Sequence, residues 1–260
     1  MKNMFHQKQL HYWDTIWMLA KTDLKMRYQG SWLGAIWVFL KPFCLFLILN
    51  FVFSNLFFKD NPDYTIRLLV GLVLWFFFSE ATMVGMNSLL TKAPILKKVY
   101  IPLWLIIVSS TVHSALAFFF NLVILFIFLL AYNVFPGILQ ISVFLIYIIL
   151  IYGISLTYSF FAAPLLVRFR DLNQIWEVLL GVLFYASPII YPMSAVPQDE
   201  QTYLYISPMT ILIEHSRVAL IDHGIARFDH LLIFIAIFIP CFLGSIWFLK
   251  KSSKNLIESM

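Results

Sequence analysis

Residues 99–167 run for 69 positions without a single Asp, Glu, Lys or Arg. A folded surface that meets water on every side carries charge more often than that. A helix crosses a bilayer in about 20 apolar residues, so this stretch holds two crossings. Pro136-Gly137 near its middle supplies the turn. The apolar runs on either side predict four more spans. The six lie at about 33–57, 67–90, 102–132, 138–167, 172–190 and 231–249. The predicted class is an all-α integral membrane protein.

Two segments break this pattern. Ahead of the first span, Leu10, Trp13, Trp17, Ala20 and Leu24 recur every three or four residues, with Gln9, His11, Asp14, Lys21 and Lys25 between them. That spacing predicts an amphipathic helix suited to lying in the membrane interface, or to packing on another protein surface. After the fifth span, Pro188, Pro192, Pro197 and Pro208 interrupt the chain before an apolar helix resumes at 211–220. Prolines at that density end helices. Non-helical backbone at membrane depth survives only against protein or water. Residues 188–229 therefore read as short re-entrant, gate-like helices, or as an external loop touching the headgroups.

Composition agrees with a membrane chain: 62% apolar, 12% charged, mean hydropathy +0.87. The chain divides into an N-terminal segment, 1–31, and one membrane domain, 32–260. Charge orients it. With both termini and the loops after spans two and four on one side, 14 of the 18 Lys and Arg fall there. By the positive-inside rule that side is the cytoplasm. The net charge of +5 therefore reports topology and not a nucleic-acid surface.

Catalytic chemistry is missing at the level of motif. There is no HExxH, no GxSxG, no cysteine pair at metal-ligand spacing and no GxxxxGK[ST] loop. His113 stands alone in the third span, and Glu214-His215 are neighbours that point apart on a helix. Two carboxylates lie in spans: Glu80 in the second and Glu177 in the fifth. A carboxylate there faces protein or water, so each lines a polar path or bonds a facing helix. Aromatics number 47. Phe39, Phe43, Trp75, Phe76, Phe77, Phe184, Tyr185 and Tyr191 cluster in and beside spans one, two and five. They read either as lipid-facing bulk and interfacial belts or as a surface on which sugar rings slide.

Three stretches then matter together. The first runs Asp23-Leu24-Lys25-Met26-Arg27-Tyr28-Gln29-Gly30-Ser31-Trp32-Leu33-Gly34-Ala35-Ile36-Trp37, with Pro42 following. The second is Ile95-Leu96-Lys97-Lys98-Val99-Tyr100-Ile101-Pro102. The third is Arg170-Asp171-Leu172-Asn173-Gln174-Ile175, followed by Ser187-Pro188-Ile189-Ile190-Tyr191-Pro192 and Ser207-Pro208-Met209-Thr210. In this order they resemble the membrane subunit of bacterial polysaccharide-exporting ABC transporters, the type 2 permeases of O-antigen, teichoic acid and capsule export. Ser207 departs from that pattern, where an Asn is expected.

The resemblance implies an interfacial N-terminal helix, six spans, and external gate helices bearing Pro188, Pro192, Pro208, Glu214 and Arg217. It implies a homodimer in the bacterial cytoplasmic membrane with two ATP-binding cassette partners. ATP and Mg belong to those partners, and this chain carries no cofactor. Residues 89–99, with Lys92, Pro94, Lys97 and Lys98, become the coupling element. The substrate becomes a polyprenyl-pyrophosphate-linked polysaccharide, with O-antigen favoured by the 23–37 stretch. Lys25 and Arg27 at the cytoplasmic mouth become candidates for the pyrophosphate, through charge-assisted bonds, or else anchor the helix at headgroups. The competing readings are a type 2 permease for a small drug or lipid, a membrane-embedded glycan-modifying enzyme, and a structural assembly factor.

Overall fold

Every regular element among the described residues is a helix. The computed structural model describes residues 2–28, 32, 34–59, 61–99, 101–224 and 228–259, and their side chains except at 2–11, 27, 28, 35, 38, 39, 41, 228 and 254–259. The order is α1 (Lys2–Tyr28), a 3-10 turn (Gly34–Ile36), α2 (Trp37–Leu56), α3 (Tyr64–Thr91), α4 (Ala93–Leu96), α5 (Leu103–Ala131), α6 (Ile138–Arg168), α7 (Leu172–Ala186), a 3-10 turn (Met193–Ala195), α8 (Gln198–Leu204), α9 (Pro208–Leu220) and α10 (Phe228–Ser259).

Four of these helices are long and apolar enough to cross a membrane: α3, α5, α6 and α10. They match the second, third, fourth and sixth expected spans. The first and fifth correspond to α2 and α7, whose apolar stretches, Pro42–Leu56 and Leu172–Ala186, are shorter. A helix of 15 residues rises about 22 Å, less than the ~30 Å hydrocarbon core. The fifth element ends at Ala186, short of the expected 190, because Pro188 follows.

Burial ranks the helices. In α3 72% of the most apolar window is inside the protein, against 6% in α10. α3 is therefore the central post, with α2, α5, α6, α7 and α9 packed around it. Small residues allow this close approach. A Cβ at Gly85 would run into Ser159 Oγ of α6 and lie 2.9 Å from Thr111 Cγ2 of α5. The same logic applies at Gly153, where a Cβ would meet the Phe238 ring of α10 at 2.7 Å.

α1 packs on α5, with Ile16 and Ala20 buried and Tyr12 edge-on to Trp104 at 5.7 Å. Trp13 and Trp17 point away from this contact and are exposed. The stripe read from sequence thus splits: Ala20 belongs to the protein-facing side, and the two tryptophans form a separate exposed one. The cause is geometric: positions 13, 17, 20 and 24 lie within about 60° of one another, and the contact with α5 is centred to one side of them, on Tyr12, Ile16 and Ala20.

Candidate functional site

α3 leaves one face incompletely covered. Phe76, Ser79, Glu80, Met83, Val84 and Asn87 are half-buried on a helix otherwise largely enclosed, and they recur at intervals of three and four. Most of that face opens on a groove of about 570 Å³ between α2, α3, α5 and α7. Of the residues singled out in the sequence, Trp75, Phe76, Phe77, Glu80, Glu177, Phe184 and Tyr185 line it, as does Trp37. With Phe118 of α5 also in the wall, carboxylates on two different helices and rings from four are thereby brought to one cavity.

These aromatics are not equivalent. Phe77 is buried and stacks on Phe118 with centroids 4.1 Å apart. Trp75 is buried as well, 5.8 Å from the Phe184 ring. Phe76 and Phe184 are half-buried, and Tyr185 is exposed. Phe43 packs between Phe46 and Phe128, at 6.1 and 6.2 Å, and does not line the groove. Tyr191 gives its hydroxyl proton to the Tyr185 carbonyl at 3.3 Å, above the end of α7. The Phe39 side chain lies outside the described residues.

Polar contacts set the position of α7 against α3. Trp176 Nε1 donates to Thr82 Oγ1 at 3.2 Å, and Asn87 Nδ2 donates to Asn173 Oδ1 at 2.7 Å. The Trp176 ring also stacks on Tyr158 of α6 at 3.8 Å. Of these residues only Asn173 was singled out in the sequence, within the 170–175 stretch. Polar side chains at helical spacing inside apolar runs were the available signal, because in lipid such groups seek partners on facing helices.

The proline-broken segment is held by Arg217. Its guanidinium is 2% exposed and donates to the carbonyls of Arg67 (2.9 Å), Pro188 (2.5 Å) and Ile189 (2.9 Å). Glu214, one turn earlier on α9, pairs with it at 2.6 Å. Tyr64 adds a bond from its hydroxyl to the Ile190 carbonyl at 2.7 Å, and Arg67 pairs with Asp222. Backbone that leaves helical geometry at Ser187 thus finds its hydrogen-bond partners in side chains of α3 and α9. Gly71 makes this possible, since a Cβ there would stand 2.7 Å from Arg217 Nη2. Pro192 caps the following 3-10 turn, and Pro208 opens α9 at the position where a missing N–H costs nothing.

At the other end of α3, Pro94, Lys97 and Lys98 are exposed on and beside α4. Lys92 is not part of that surface. It is buried, ion-paired to Asp23 of α1 at 2.6 Å, and bonded to Ser109 and Ser110 of α5. Its cationic character made it look like its exposed neighbours, but it caps α3 and its stem points back into the helix packing. Lys25 is exposed on α1, and the Arg27 side chain lies outside the described residues. Among the described residues no three His, Cys, Asp or Glu side chains are placed to hold a metal ion.

Comparison with known proteins places this architecture. The chain is 28% identical over 222 residues to the O-antigen export system permease protein RfbA of Myxococcus xanthus, covering 84% of this chain and 85% of that one. It is 25% identical over 236 residues to a protein of the same name from Klebsiella pneumoniae, covering 89% of each. It is 24% identical over 219 residues to the polysialic acid transport protein KpsM of Escherichia coli, covering 82% and 83%. Residues 14–221, from α1 to the end of α9, match the family model described as ABC-2 type transporter, and the chain belongs to that family.

Proposed function

We propose that this chain is the membrane subunit of an ATP-driven exporter that carries a polyprenyl-pyrophosphate-linked polysaccharide, O-antigen in the first instance, across the bacterial cytoplasmic membrane. The observation that carries the reading is the groove on α3. Its walls combine broad aromatic faces with two carboxylates and few fixed hydrogen bonds. A sugar polymer in transit needs that kind of wall, because C–H faces of sugar rings stack on aromatics without committing to one register. Relatives named for O-antigen and polysialic acid transport match this chain along most of its length.

In this reading α2 and α7 complete six spans. α7 stops short of the outer surface, and the 187–207 segment with α8 and α9 forms the external gate. Two copies of the chain close their grooves into one path. Each copy docks an ATP-binding cassette subunit through the exposed Pro94, Lys97 and Lys98, and ATP and Mg bind to that partner. Both termini lie in the cytoplasm. The exposed Trp13 and Trp17 of α1 sit in the inner interface, where tryptophan is favoured.

Depletion in the native cell tests the proposal. Lipid-linked polymer trapped on the cytoplasmic face is expected, and its sugar composition names the substrate. Polymer reaching the surface at the normal rate would overturn the reading in favour of a permease for a small drug or lipid.

A further inference from the structure

A second cavity, of about 460 Å³, lies at the α4 end of the same α3 face, an open cleft bounded by α1, α3 and α5. Met83 and Val84 wall both it and the aromatic groove, so the two are neighbours along one helix. Its volume falls in the ~300–1,000 Å³ range of small-ligand sites. Its walls are largely apolar, and Asp23, Thr91, Lys92, Ser110 and His113 bring their polar groups to them, where the groove presents aromatic rings.

Lys92 is the chemical centre of this cavity. It is 4% exposed, and an ammonium has three N–H donors. Ser109 Oγ accepts at 3.1 Å, Ser110 Oγ at 3.0 Å and Asp23 Oδ2 at 2.6 Å. The serines belong to α5 and hold the ammonium in place, but they carry no charge. The compensating charge is brought by a different element, α1. A buried cation without an anion is strongly disfavoured, so something negative must stand at the Asp23 position. Ser110 accepts from Lys92, and its own O–H remains to be given to an incoming oxygen.

We propose that this cavity binds the pyrophosphate of the lipid-linked substrate, and that the Asp23 carboxylate holds the anion position when no substrate is present. The inference rests on the export reading and deepens it. A phosphate oxygen accepts from Lys92 and from the Ser110 hydroxyl in place of the carboxylate. The glycan that follows the pyrophosphate then meets the aromatic groove directly above. Displacing Asp23 breaks the ion pair that ties α1 to Lys92, the residue that precedes α4, while Ile16 and Ala20 keep α1 packed on α5. Substrate occupancy is thereby felt at the turn proposed to dock the ATPase.

The test uses the purified full-length permease in phosphatidylcholine nanodiscs, with farnesyl pyrophosphate as the probe and farnesol as its uncharged counterpart. Saturable binding of the pyrophosphate is expected, roughly tenfold or more tighter than farnesol. K92M weakens it by about tenfold, and K92R retains most of it. D23N, which removes the competing charge, tightens it by roughly threefold, and S110A weakens it by a similar factor. Melting temperatures are read beside each variant. If K92M does not fold, D23N and S110A decide, and no change in either overturns the site. Equal binding of the two probes overturns it, as does a D23N protein that binds less well than wild type, which makes the pair a structural brace. Loss of binding when phosphatidylglycerol replaces phosphatidylcholine assigns the cavity to a phospholipid headgroup and overturns the substrate assignment. Failure in these assays with polymer still trapped on depletion sinks this site alone. Polymer reaching the surface on depletion sinks the export reading whatever the probe does.

Discussion

At Arg217 a charged side chain serves three main-chain carbonyls on two other segments, and Glu214 balances its charge. Replacing it with Met takes the guanidinium away from the Pro188 and Ile189 carbonyls and from the Glu214 carboxylate. R217M is expected to cost about 3–5 kcal/mol, read as a lowered melting temperature in detergent. G71A drives a methyl group against the same guanidinium and is expected to lower stability in the same direction. His215, two residues away, is buried against Tyr147 with ring centroids 5.7 Å apart. Desolvation first, and the charge of His230 second, lower its pKa to about 4. Its unfolded value is ~6.5, so the unfolded chain takes up its proton first as pH falls. The stability this neutral histidine allows is complete above pH ~6.5 and is lost as pH drops toward 4. Melting curves of wild type and H215Q should therefore diverge across that window, with the variant the less sensitive to acid.

Among the elements, α3 sets the tolerance of the whole to change. G85V places bulk where α5 and α6 already touch, and a loss of roughly 1–3 kcal/mol is expected from overpacking, measured by thermal melting. α7 behaves differently, because its exposed side carries Tyr185 over the groove. Y185L is expected to leave assembly intact and to slow polymer export. F77L, by contrast, loses the stack on Phe118 and should lower melting temperature before it affects transport. The charge at this end comes from Lys97 and Lys98, just after α4. Reversing Lys97 and Lys98 to Glu is expected to weaken association with the ATPase partner by about tenfold, read by co-purification, with no change in melting temperature.

For the whole molecule, the open side of the groove and the exposed stripe of α7 lie together. Ile175, Val178, Leu179, Val182 and Tyr185 recur at helical spacing on that stripe, and all are exposed. In the proposed homodimer a second copy covers part of this side. A Val182→Cys chain, with the exposed Cys44 and Cys241 replaced, should cross-link to itself in native membranes. Cross-linking by a companion chain with its single cysteine at Leu243 on α10, and not by Val182→Cys, would place the path elsewhere and remove the groove from it.

The pattern of charge and apolar residues was enough to determine that this is an all-helical membrane chain, where its long helices run and, by resemblance, its relatives. Those properties follow from one-dimensional quantities: a bilayer demands about 20 apolar residues per crossing and excludes charge. The gathering of Glu80 and Glu177 with Trp75, Phe76, Phe184 and Tyr185 was legible as a list of residues but not as a shared cavity. Two assignments needed the third dimension. Lys92 read as one of three lysines in a basic turn, and only helix packing turned it inward onto Asp23, Ser109 and Ser110. Arg217 read as a gate residue, and only the crossing of α9 over the Pro188 segment made it a staple for backbone carbonyls. In both cases the side chain answers to partners distant in the chain. Periodicity records which face of a helix is buried, but not which helix lies against it.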